Sequence, residues 1–566
     1  MGLVEVVEQE VLTARDTYLV DHAPQDLPHL TADGAALWCK IDHLLYLPLL
    51  GLTHLCGLYY YQGAGLLVLY SFTYKYMTME HFLGQLTRLQ LSAALAERLA
   101  ITYVQSWYPD GAPLTLFVDW HSKPHWTKSY SHTGHVTMWG RVLPGTKQLL
   151  LSGPQGRLVG CWDYPIDTHL SHVLVDLEEA LEQTLNRPIA CTIVDSEGGG
   201  LPLGQRYAAA ERHYLSVLPQ EHACLLADFE LEGSWEPVQH DPGHEAVRAH
   251  WADPERAAAD PRCFVLMRPV GHREPTRVYT GRFADAWAAG EVPWRHRRRW
   301  PYSERRIRDL IHGANLNANY GYTYQEVPHR TRLRAWEKAQ AQVTVTEQQL
   351  SNQQEAVRNL RHRLATLQDR YQQQRATLAG QLLHQRRQEQ RGQRLGQPVK
   401  RAHQQVARSR QALATCTARF QRQQRHLWEQ LCAHQDKGRQ LQAQLTHRRQ
   451  VRDAIDTETL CRERELEKDQ LMLNFQILLA SLHDWATQTY FAPAWRALSL
   501  EKATQMIYRK AGRVTWYDDR IEVELDPYRY ADQQRLMEAT CARFNAAHRR
   551  WRDGRLLRIS VAAAPG

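Results

Sequence analysis

The sequence lacks the cysteine patterns that are typical of zinc sites and of disulfide-bonded folds. Its ten cysteines include no C-x-x-C pair and no regular spacing. This argues against a zinc ribbon and against a disulfide frame, and it indicates a reducing compartment. The cysteines are Cys39, Cys56, Cys161, Cys191, Cys224, Cys263, Cys416, Cys432, Cys461 and Cys541.

The chain also lacks the marks of export and of membrane insertion. The first twenty residues contain no positively charged n-region and no apolar h-region, so we predict that the mature protein begins near Met1. The most apolar stretch, residues 41–72, is interrupted by His43, Pro48 and His54. Because a membrane helix needs roughly 20 mostly apolar residues, we expect a buried helical pair there and no membrane span.

Charge of one sign is only moderately in excess. The chain has 69 Lys and Arg against 61 Asp and Glu, a net charge of +8. This balance is consistent with a polyanionic partner, but such moderate basicity is weak support for one. At 566 residues the chain is too long for one ordinary core, so two to four structural units are expected.

The residue patterns predict four domains. The first is helical and serves either DNA-end binding or dimerisation, and its helices are predicted over residues 41–50, 66–77 and 79–101. The fourth is a small α+β domain with a hairpin (514–517 and 521–525) and a helix (531–548). The predicted boundaries are 1–110, 111–330, 331–470 and 471–566.

The second domain alternates strands and helices. Its strands are predicted at residues 114–120, 135–143, 156–164, 190–194 and 223–227, and its helices at 168–185 and 205–218. Three adjacent strands followed by alternating helices and strands is the order of an α/β ribonuclease-H-like core, in which the first and fourth strands are neighbours. A β-rich insertion at about 229–295 and a helix at about 302–315 follow.

The third domain is rich in Gln, Arg, Glu and Leu. Apolar residues such as Val357, Leu360, Leu364 and Leu367 recur at threes and fours, which predicts a coiled coil. A helix-breaking cluster at 392–398 divides it, so we expect a long antiparallel coiled-coil hairpin with arms of about 75 Å. Such a hairpin could serve as a spacer or dimerisation element, or its arginines could contact DNA.

Two short apolar runs each end on an aspartate. The runs that precede Asp119 and Asp195 are rich in β-branched residues and predict buried strands. Catalytic groups sit at strand ends in open α/β sheets, although a single aspartate there more often caps a turn. Glu304, in an arginine-rich segment about a hundred residues later, is a third acid, unless it only pairs with its neighbours. Clustered carboxylates can hold two Mg²⁺ ions for phosphodiester chemistry.

Three segments contain these acids. The first is Phe117-Val-Asp119-Trp-His121-Ser-Lys-Pro124 with Lys128, Gly134-His-Val136 and Arg141-Val-Leu-Pro144-Gly-Thr146; the second is Ile193-Val-Asp195-Ser-Glu197-Gly198; the third is Arg299-Trp300 with Glu304, Asn319-Tyr320-Gly321-Tyr322, Val327-Pro328 and Arg330. Over roughly residues 40–330 they resemble the three catalytic blocks of DDE transposases from bacterial insertion sequences. The sequence departs from that pattern after Pro124, where His125-Trp126 replaces the usual tyrosine, and Glu197 could compete with Asp195 as a ligand.

The resemblance implies an enzyme that cuts the ends of a mobile element and joins their 3′ hydroxyls to target DNA. It implies that Asp119, Asp195 and Glu304 bind two Mg²⁺ or Mn²⁺ ions. His121 would lie behind the metal ligands or against a phosphate, and Trp300 would pack on the core rather than stack on an extruded base. The residues expected to contact DNA are Lys128, Arg297, Arg298, Arg299, Arg305 and Arg308.

The expected partners are double-stranded DNA, as element ends and target, and a second copy of the chain in a homodimer, with no membrane. The expected location is cytoplasmic, at the nucleoid. Two alternatives stay open: a domesticated, catalytically inactive DNA-binding protein derived from a transposase, and a ribonuclease-H-like nuclease without strand transfer.

Overall fold

The computed structural model describes residues 3–31, 34–61, 73–125, 132–219, 225–283, 287–321, 323–395, 398 and 400–563. The chain forms two compact units, one of Met1–Glu326 with Arg462–Gly566 and one of Val327–Cys461. Within the described ranges, no helix is long and apolar enough to cross a membrane. Residues 62–72 of the predicted apolar pair lie outside those ranges.

The first unit is mixed α/β and is built on one large mixed sheet. Its strand order is β2-β3-β1-β5-β6-β10-β9-β8-β7, and β4 pairs with the other edge of β3. The strands are β1 (Leu114–Pro124), β2 (Thr133–Val136), β3 (Arg141–Ser152), β4 (Leu158–Pro165), β5 (Ile189–Ile193), β6 (Tyr214–Val217), β7 (Phe229–Val238), β8 (Asp241–Trp251), β9 (Cys263–Pro269) and β10 (Arg277–Arg282).

The middle of this sheet follows the predicted neighbour relation. Strand β1 pairs with β5 in parallel and with β3 in antiparallel orientation, and β5 pairs with β6 in parallel. Leu116 and Val118 of β1 are buried between layers, which is why this strand reads as a continuous apolar run. The first and fourth strands of the predicted order are therefore neighbours.

Three of the predicted elements of this domain were wrong. The fifth strand is β6 and not residues 223–227, where 226–228 form a 3₁₀ turn and 223–224 lie outside the described residues. The predicted helix 205–218 is a shorter helix, Leu201–Ala209, which ends before Glu211 at φ 56°. The second predicted strand is also divided, because Gly140 turns the chain at φ 57° between β2 and β3. The first two differences arise because the pairing of Tyr214–Val217 with β5 and β10 overrides the local pattern.

The predicted β-rich region after residue 229 extends the central sheet. Strand β10 pairs antiparallel with β6, and β9, β8 and β7 follow it outward. The helices around the sheet are α1 (Leu3–Asp21), α2 (Gly34–Tyr46), α3 (Tyr76–Arg88), α4 (Ser92–Trp107), α5 (Leu170–Leu185), α6 (Leu201–Ala209), α7 (Pro254–Ala259), α8 (Glu291–Arg297) and α9 (Arg305–Gly313).

The segment after the coiled coil returns to the first unit. The coiled-coil pattern was predicted to continue to residue 470, but the hairpin ends at Asp453, and helix α12 (Glu467–Thr489) is buried in the core of α1 to α4. Leu471 and Phe475 pack with Leu95 and Phe82 there. The remaining elements are β11 (Tyr324–Pro328), β12 (Leu460–Arg464), α13 (Leu500–Ala503), β13 (Gly512–Trp516), β14 (Arg520–Leu525), α14 (Ala531–Ala546) and β15 (Leu556–Val561).

The second unit is a pair of long helices, as predicted. Helix α10 (Arg330–Arg394) has 65 residues and α11 (Lys400–Asp453) has 54, so the arms are about 98 and 81 Å long at 1.5 Å per residue. Leu360 packs with Leu427 and Leu431, and the rings of Tyr371 and Phe420 stack at 4.0 Å, so the helices are antiparallel. Gly392 does not break α10, which continues for two more residues.

Candidate functional site

The strand register brings Asp119 and Asp195 to the same level of the sheet. Phe117 of β1 pairs with Ile193 of β5 in parallel, and each aspartate lies two residues beyond its member of that pair. Neighbouring strands are about 4.8 Å apart, so the two carboxylates leave the sheet at one level. The charge of Asp195 acts on Asp119, which is consistent with that proximity.

The turn after Asp195 is held close to strand β6. The side chain of Asp195 accepts a hydrogen bond from the backbone N–H of Glu197 at 3.0 Å, and its carbonyl accepts one from Ser216 Oγ. A Cβ at Gly198 would lie 2.0 Å from Val194 Cγ2, so only glycine allows this approach. The glycine turn therefore fixes where the Asp195 carboxylate points.

Glu304 is joined to Asp119 through an arginine. Arg299 Nη1 donates to Asp119 Oδ2 at 2.8 Å, and Nη2 of the same guanidinium donates to Glu304 Oε1. Arg299 is mostly buried, with 13% of its side chain exposed. The Arg299 guanidinium, which was predicted to contact DNA phosphate, here links two of the three predicted acids.

Helical geometry changes at the segment that carries Glu304. Residues Trp300–Glu304 form one π-helical turn between α8 and α9. Pro301 has no N–H to donate to the helix and crowds the preceding turn, which accounts for a local widening there. Such π turns occur often at functional sites. Tyr302 packs edge-on against Phe117 with ring centroids 5.0 Å apart, so the turn is anchored on β1 near Asp119.

His296 fixes α8 to the end of β5 and was not predicted. Its Nε2 donates to the carbonyl oxygen of Val194 at 3.1 Å, and its ring packs against Tyr279. Burial, with a smaller effect of Arg299, lowers the pKa of His296 to about 3, so the ring is neutral. The residue positions the Glu304 segment beside Asp195. No local pattern marks this residue, because its partner lies 102 positions away.

Burial gives Asp119 an unusual protonation equilibrium. The pKa of this carboxyl is raised to about 7, first by burial and then by the charges of Asp195 and Glu304, against the lowering effect of Arg299. Two further carboxylates, those of Asp195 and Glu304, therefore act on Asp119 beside the single Arg299 guanidinium. Among the described residues, however, no three His, Cys, Asp or Glu side chains form a ready metal-binding group.

The basic residues near the acids divide into engaged and exposed side chains. Arg297 pairs with Asp241, and Arg298 Nη2 donates to Tyr302 Oη at 3.0 Å. Arg305 and Arg308 are exposed on one face of α9. Lys128 lies outside the described residues.

The surroundings of Trp300 and His121 differ from those expected. Trp300 was expected to pack on the core, but 56% of it is exposed, because the π turn aims it outward. His121 is buried and its Nε2 bonds to Asn317 Oδ1 at 2.6 Å. Burial lowers the pKa of His121 to about 4, so this neutral ring is enclosed by protein rather than open to a phosphate.

A buried ion cluster lies further along β1 and was also missed. Lys123 Nζ lies 3.3 Å from Asp469 Oδ1, and Arg464 Nε lies 3.0 Å from Asp469 Oδ2. Lys123 also donates to the carbonyl of Ala318 at 3.0 Å. The cluster ties the strand that carries Asp119 to α12. Lys123 lies 346 positions before Asp469 in the sequence, so no local pattern indicates the cluster.

Comparison with known proteins identified no relative of the chain. No protein-family model matches the chain, and no curated protein matches it. The function of the chain is therefore inferred from its own residues and their arrangement.

Proposed function

We propose that the chain is a metal-dependent DDE transposase with a ribonuclease-H-like core. The observation that carries this proposal is the placement of Asp119 within β1 and of Asp195 just beyond the adjacent parallel strand β5, at the same level of the sheet, with Glu304 linked to Asp119 through Arg299. The order β4-β3-β1-β5-β6, in which only β3 runs antiparallel to the other four strands, is the order expected of that core. The same segments carry the sequence resemblance.

The donor set suits a hard divalent cation. Mg²⁺ prefers carboxylate oxygens, and the excess of acids over the single Arg299 favours binding of positive charge at this edge. Asp119, Asp195 and Glu304 would hold Mg²⁺ or Mn²⁺ as two ions. Arg299 has to leave at least one carboxylate for all three to face such ions. When bound, the ions would supply activation of an oxygen nucleophile and stabilisation of the leaving oxygen.

The chain's own residues then orient the DNA. In the proposed cleavage, the oxygen of water attacks a phosphorus at the element end, the bond from phosphorus to the 3′ oxygen breaks, and a 3′ hydroxyl is released. In strand transfer, that hydroxyl attacks a target phosphate and displaces a 3′ oxygen. Arg299, once released, would pair with a backbone phosphate, and the exposed Trp300, Arg305 and Arg308 offer a contact surface beside the acids.

The other partners of this function are also proposals. Lys128, Arg297 and Arg298 would add DNA contacts, the two arginines after DNA displaces their present partners Asp241 and Tyr302. Two copies of the chain would act together, since an element has two ends, and the protein would work at the nucleoid in the cytoplasm.

One observation favours a second candidate, an inactive DNA-binding protein derived from a transposase. The Arg299 guanidinium bonds to Asp119 and Glu304, and a salt-bridged cluster can persist as structure without any cation. A ribonuclease-H-like nuclease without strand transfer would share the cleavage step but yield no joined product.

Cleavage of a labelled duplex that carries the element's own ends tests these candidates. The assay compares the wild type, Asp195→Ala and Glu197→Ala with Mg²⁺ or Mn²⁺. We expect nicking and joined products from the wild type, none from Asp195→Ala, and near-normal activity from Glu197→Ala, whose side chain faces Lys147 at 3.5 Å.

The products separate the candidates. Nicking without joined product identifies a nuclease. Tight binding of the ends without cleavage by the wild type identifies the inactive DNA-binding protein. Direct titration with Mn²⁺, followed by its paramagnetic signal, adds a readout that does not depend on turnover: the wild type should bind and Asp195→Ala should bind less.

A further inference from the structure

Positive charge is concentrated in one half of the helical hairpin. Residues 327–461 contain 25 Lys and Arg against 10 Asp and Glu, whereas the rest of the chain has 44 against 51. Within the hairpin, residues 358–425, the distal half, contain 16 basic and 2 acidic residues. The proximal half, residues 327–357 with 426–461, contains 9 and 8. One coiled coil thus has a balanced half and a strongly cationic half.

Ion pairs follow the same division. In the proximal half, Arg332 pairs with Asp456 and Arg449 with Glu347. In the distal half, none of the basic side chains in the described residues pairs with an acid, and all are exposed. They are Arg358, Arg361, Arg363, Arg370, Arg375, Arg386, Arg387, Arg391, Arg394, Lys400, Arg401, Arg408, Arg410, Arg419, Arg422 and Arg425.

The helix pairing itself does not require these cations. The contact between the helices uses leucines and the stacked rings of Tyr371 and Phe420. Several of the arginines are three or four residues apart on one helix, as Arg387, Arg391 and Arg394 are, and like charges at those spacings repel each other. The distal half therefore carries an electrostatic cost that an external polyanion would relieve.

The distribution of apolar residues argues against a membrane as that polyanion. A helix that lies on a membrane presents a continuous apolar face to it. Here the apolar residues are used between the helices, and the exposed Leu383 and Leu395 are twelve positions apart and point to different faces of their helix. A lipid surface would meet arginine and glutamine on most sides.

We propose that the distal half of the hairpin binds the phosphate backbone of duplex DNA without reading its sequence. Residues 358–394 form a rod of about 55 Å at 1.5 Å per residue, comparable to about 16 base pairs of a duplex that carries one charge per ~1.7 Å. A linear array of exposed guanidinium groups suits such a linear polyanion. The choice of DNA rests on the proposed function, whereas the charge argument does not.

The test replaces charge without changing helix propensity. In the full chain, Arg386, Arg387, Arg391, Arg394, Lys400 and Arg401 are changed together to glutamine, a good helix former. The matched control changes six proximal residues to glutamine: Arg332, Lys437, Arg439, Arg448, Arg449 and Arg452. Both variants lose the same formal charge from the same hairpin. Circular dichroism checks that each keeps its helical content.

Binding to a random-sequence duplex of about 30 base pairs is measured in EDTA over a range of salt concentrations. We expect the distal variant to lose affinity and its plot of log affinity against log salt to become flatter by up to about five units, at about 0.9 per lost phosphate contact. The proximal control should change that slope by less than about one unit.

Equal effects of the two variants, or no effect of either, would overturn the proposal. So would preferential loss of binding to single-stranded RNA or to phosphatidylglycerol vesicles with duplex binding intact. Because the assay contains no metal, it is independent of catalysis. A slope difference in a protein that never cleaves DNA would uphold this surface and reject the transposase, and cleavage without a slope difference would do the reverse.

Discussion

Replacement of Asp469 by asparagine tests the buried cluster that holds the end of β1. Asp469 is 2% exposed and accepts contacts from Lys123 and Arg464, at 3.3 and 3.0 Å. The backbone N–H of Tyr320 also donates to it at 3.1 Å. Asparagine keeps the size and one acceptor oxygen but removes the charge that faces two buried cations.

The expected loss is large because both cations stay buried. Removing one partner of a buried ion pair costs about 3–5 kcal/mol of unfolding free energy. Asp163 can compensate in part. Burial raises its pKa to about 7, Lys123 opposes that rise, and Asp469 adds to it, so loss of Asp469 would let Asp163 ionise more readily. We therefore expect the lower end of that range, about 3 kcal/mol.

The measurement is urea unfolding of the full chain at neutral pH. Asp519→Asn serves as the control, since Asp519 pairs with Arg520 while 75% exposed and such surface pairs contribute little. A loss below about 1 kcal/mol for Asp469→Asn would refute the reasoning, because it would mean that water reaches the cations. Asp469→Asn combined with Asp163→Asn should lose more than the two single changes added together.

The sign of the pH dependence gives a second check. Burial raises the pKa of Asp469, but Lys123 and Arg464 outweigh that effect, and the net pKa is lowered. A lowered carboxyl pKa contributes stability above the unfolded value, and the contribution is lost as pH falls through the folded value. The difference between wild type and Asp469→Asn should therefore persist at pH 5–8 and shrink only in stronger acid.

Three further predictions concern single side chains. Burial raises the pKa of Glu178 to about 7, so its ionisation opposes folding as pH rises. In urea unfolding, the free energy of unfolding of Glu178→Gln should exceed that of the wild type by about 2–3 kcal/mol at pH 8 but by little at pH 5. Gly198→Ala should cost about 1–3 kcal/mol in the same assay, whereas Gly200→Ala, whose Cβ would meet its nearest atom at 3.6 Å, should be nearly neutral. Trp300→Ala should change the free energy of unfolding by less than about 0.5 kcal/mol, because the ring is exposed. The same change should weaken DNA binding if the proposed contact surface is correct.

The acid cluster has a consequence for any functional assay. Arg299 bonds to Asp119 and Glu304, so cation or DNA binding has to compete with an existing ion pair. Replacing Arg299 by glutamine would free the carboxylates while removing a proposed phosphate contact. Its effects on Mn²⁺ affinity and on DNA affinity should therefore have opposite signs.

Local pattern was enough where structure repeats along the chain. The spacing of Val357, Leu360, Leu364 and Leu367 determines a helix with one apolar seam, and that seam has to pair. Likewise, the β-branched runs before Asp119 and Asp195 determine strands, although β1 continues past Asp119 to Pro124 instead of ending there. The positive charge of the distal half of the hairpin is also a property of the sequence alone. Only the structure shows that its basic side chains, all of which lie within the described residues, are exposed and pair with no acid.

Tertiary structure decided what distant residues do to each other. Strand β6 forms where Tyr214–Val217 meets both β5 and β10, although its local sequence resembles the end of a helix. Helix α12, most of which the predicted boundaries assign to the fourth domain, is almost entirely buried in one core with α1 to α4, β4 and α9. His296 bonds to Val194 across 102 positions, Arg299 to Asp119 across 180, and Asp469 to Lys123 across 346. Local propensity acts over a few residues, whereas burial and charge pairing act through space, so only the folded chain could bring these groups together.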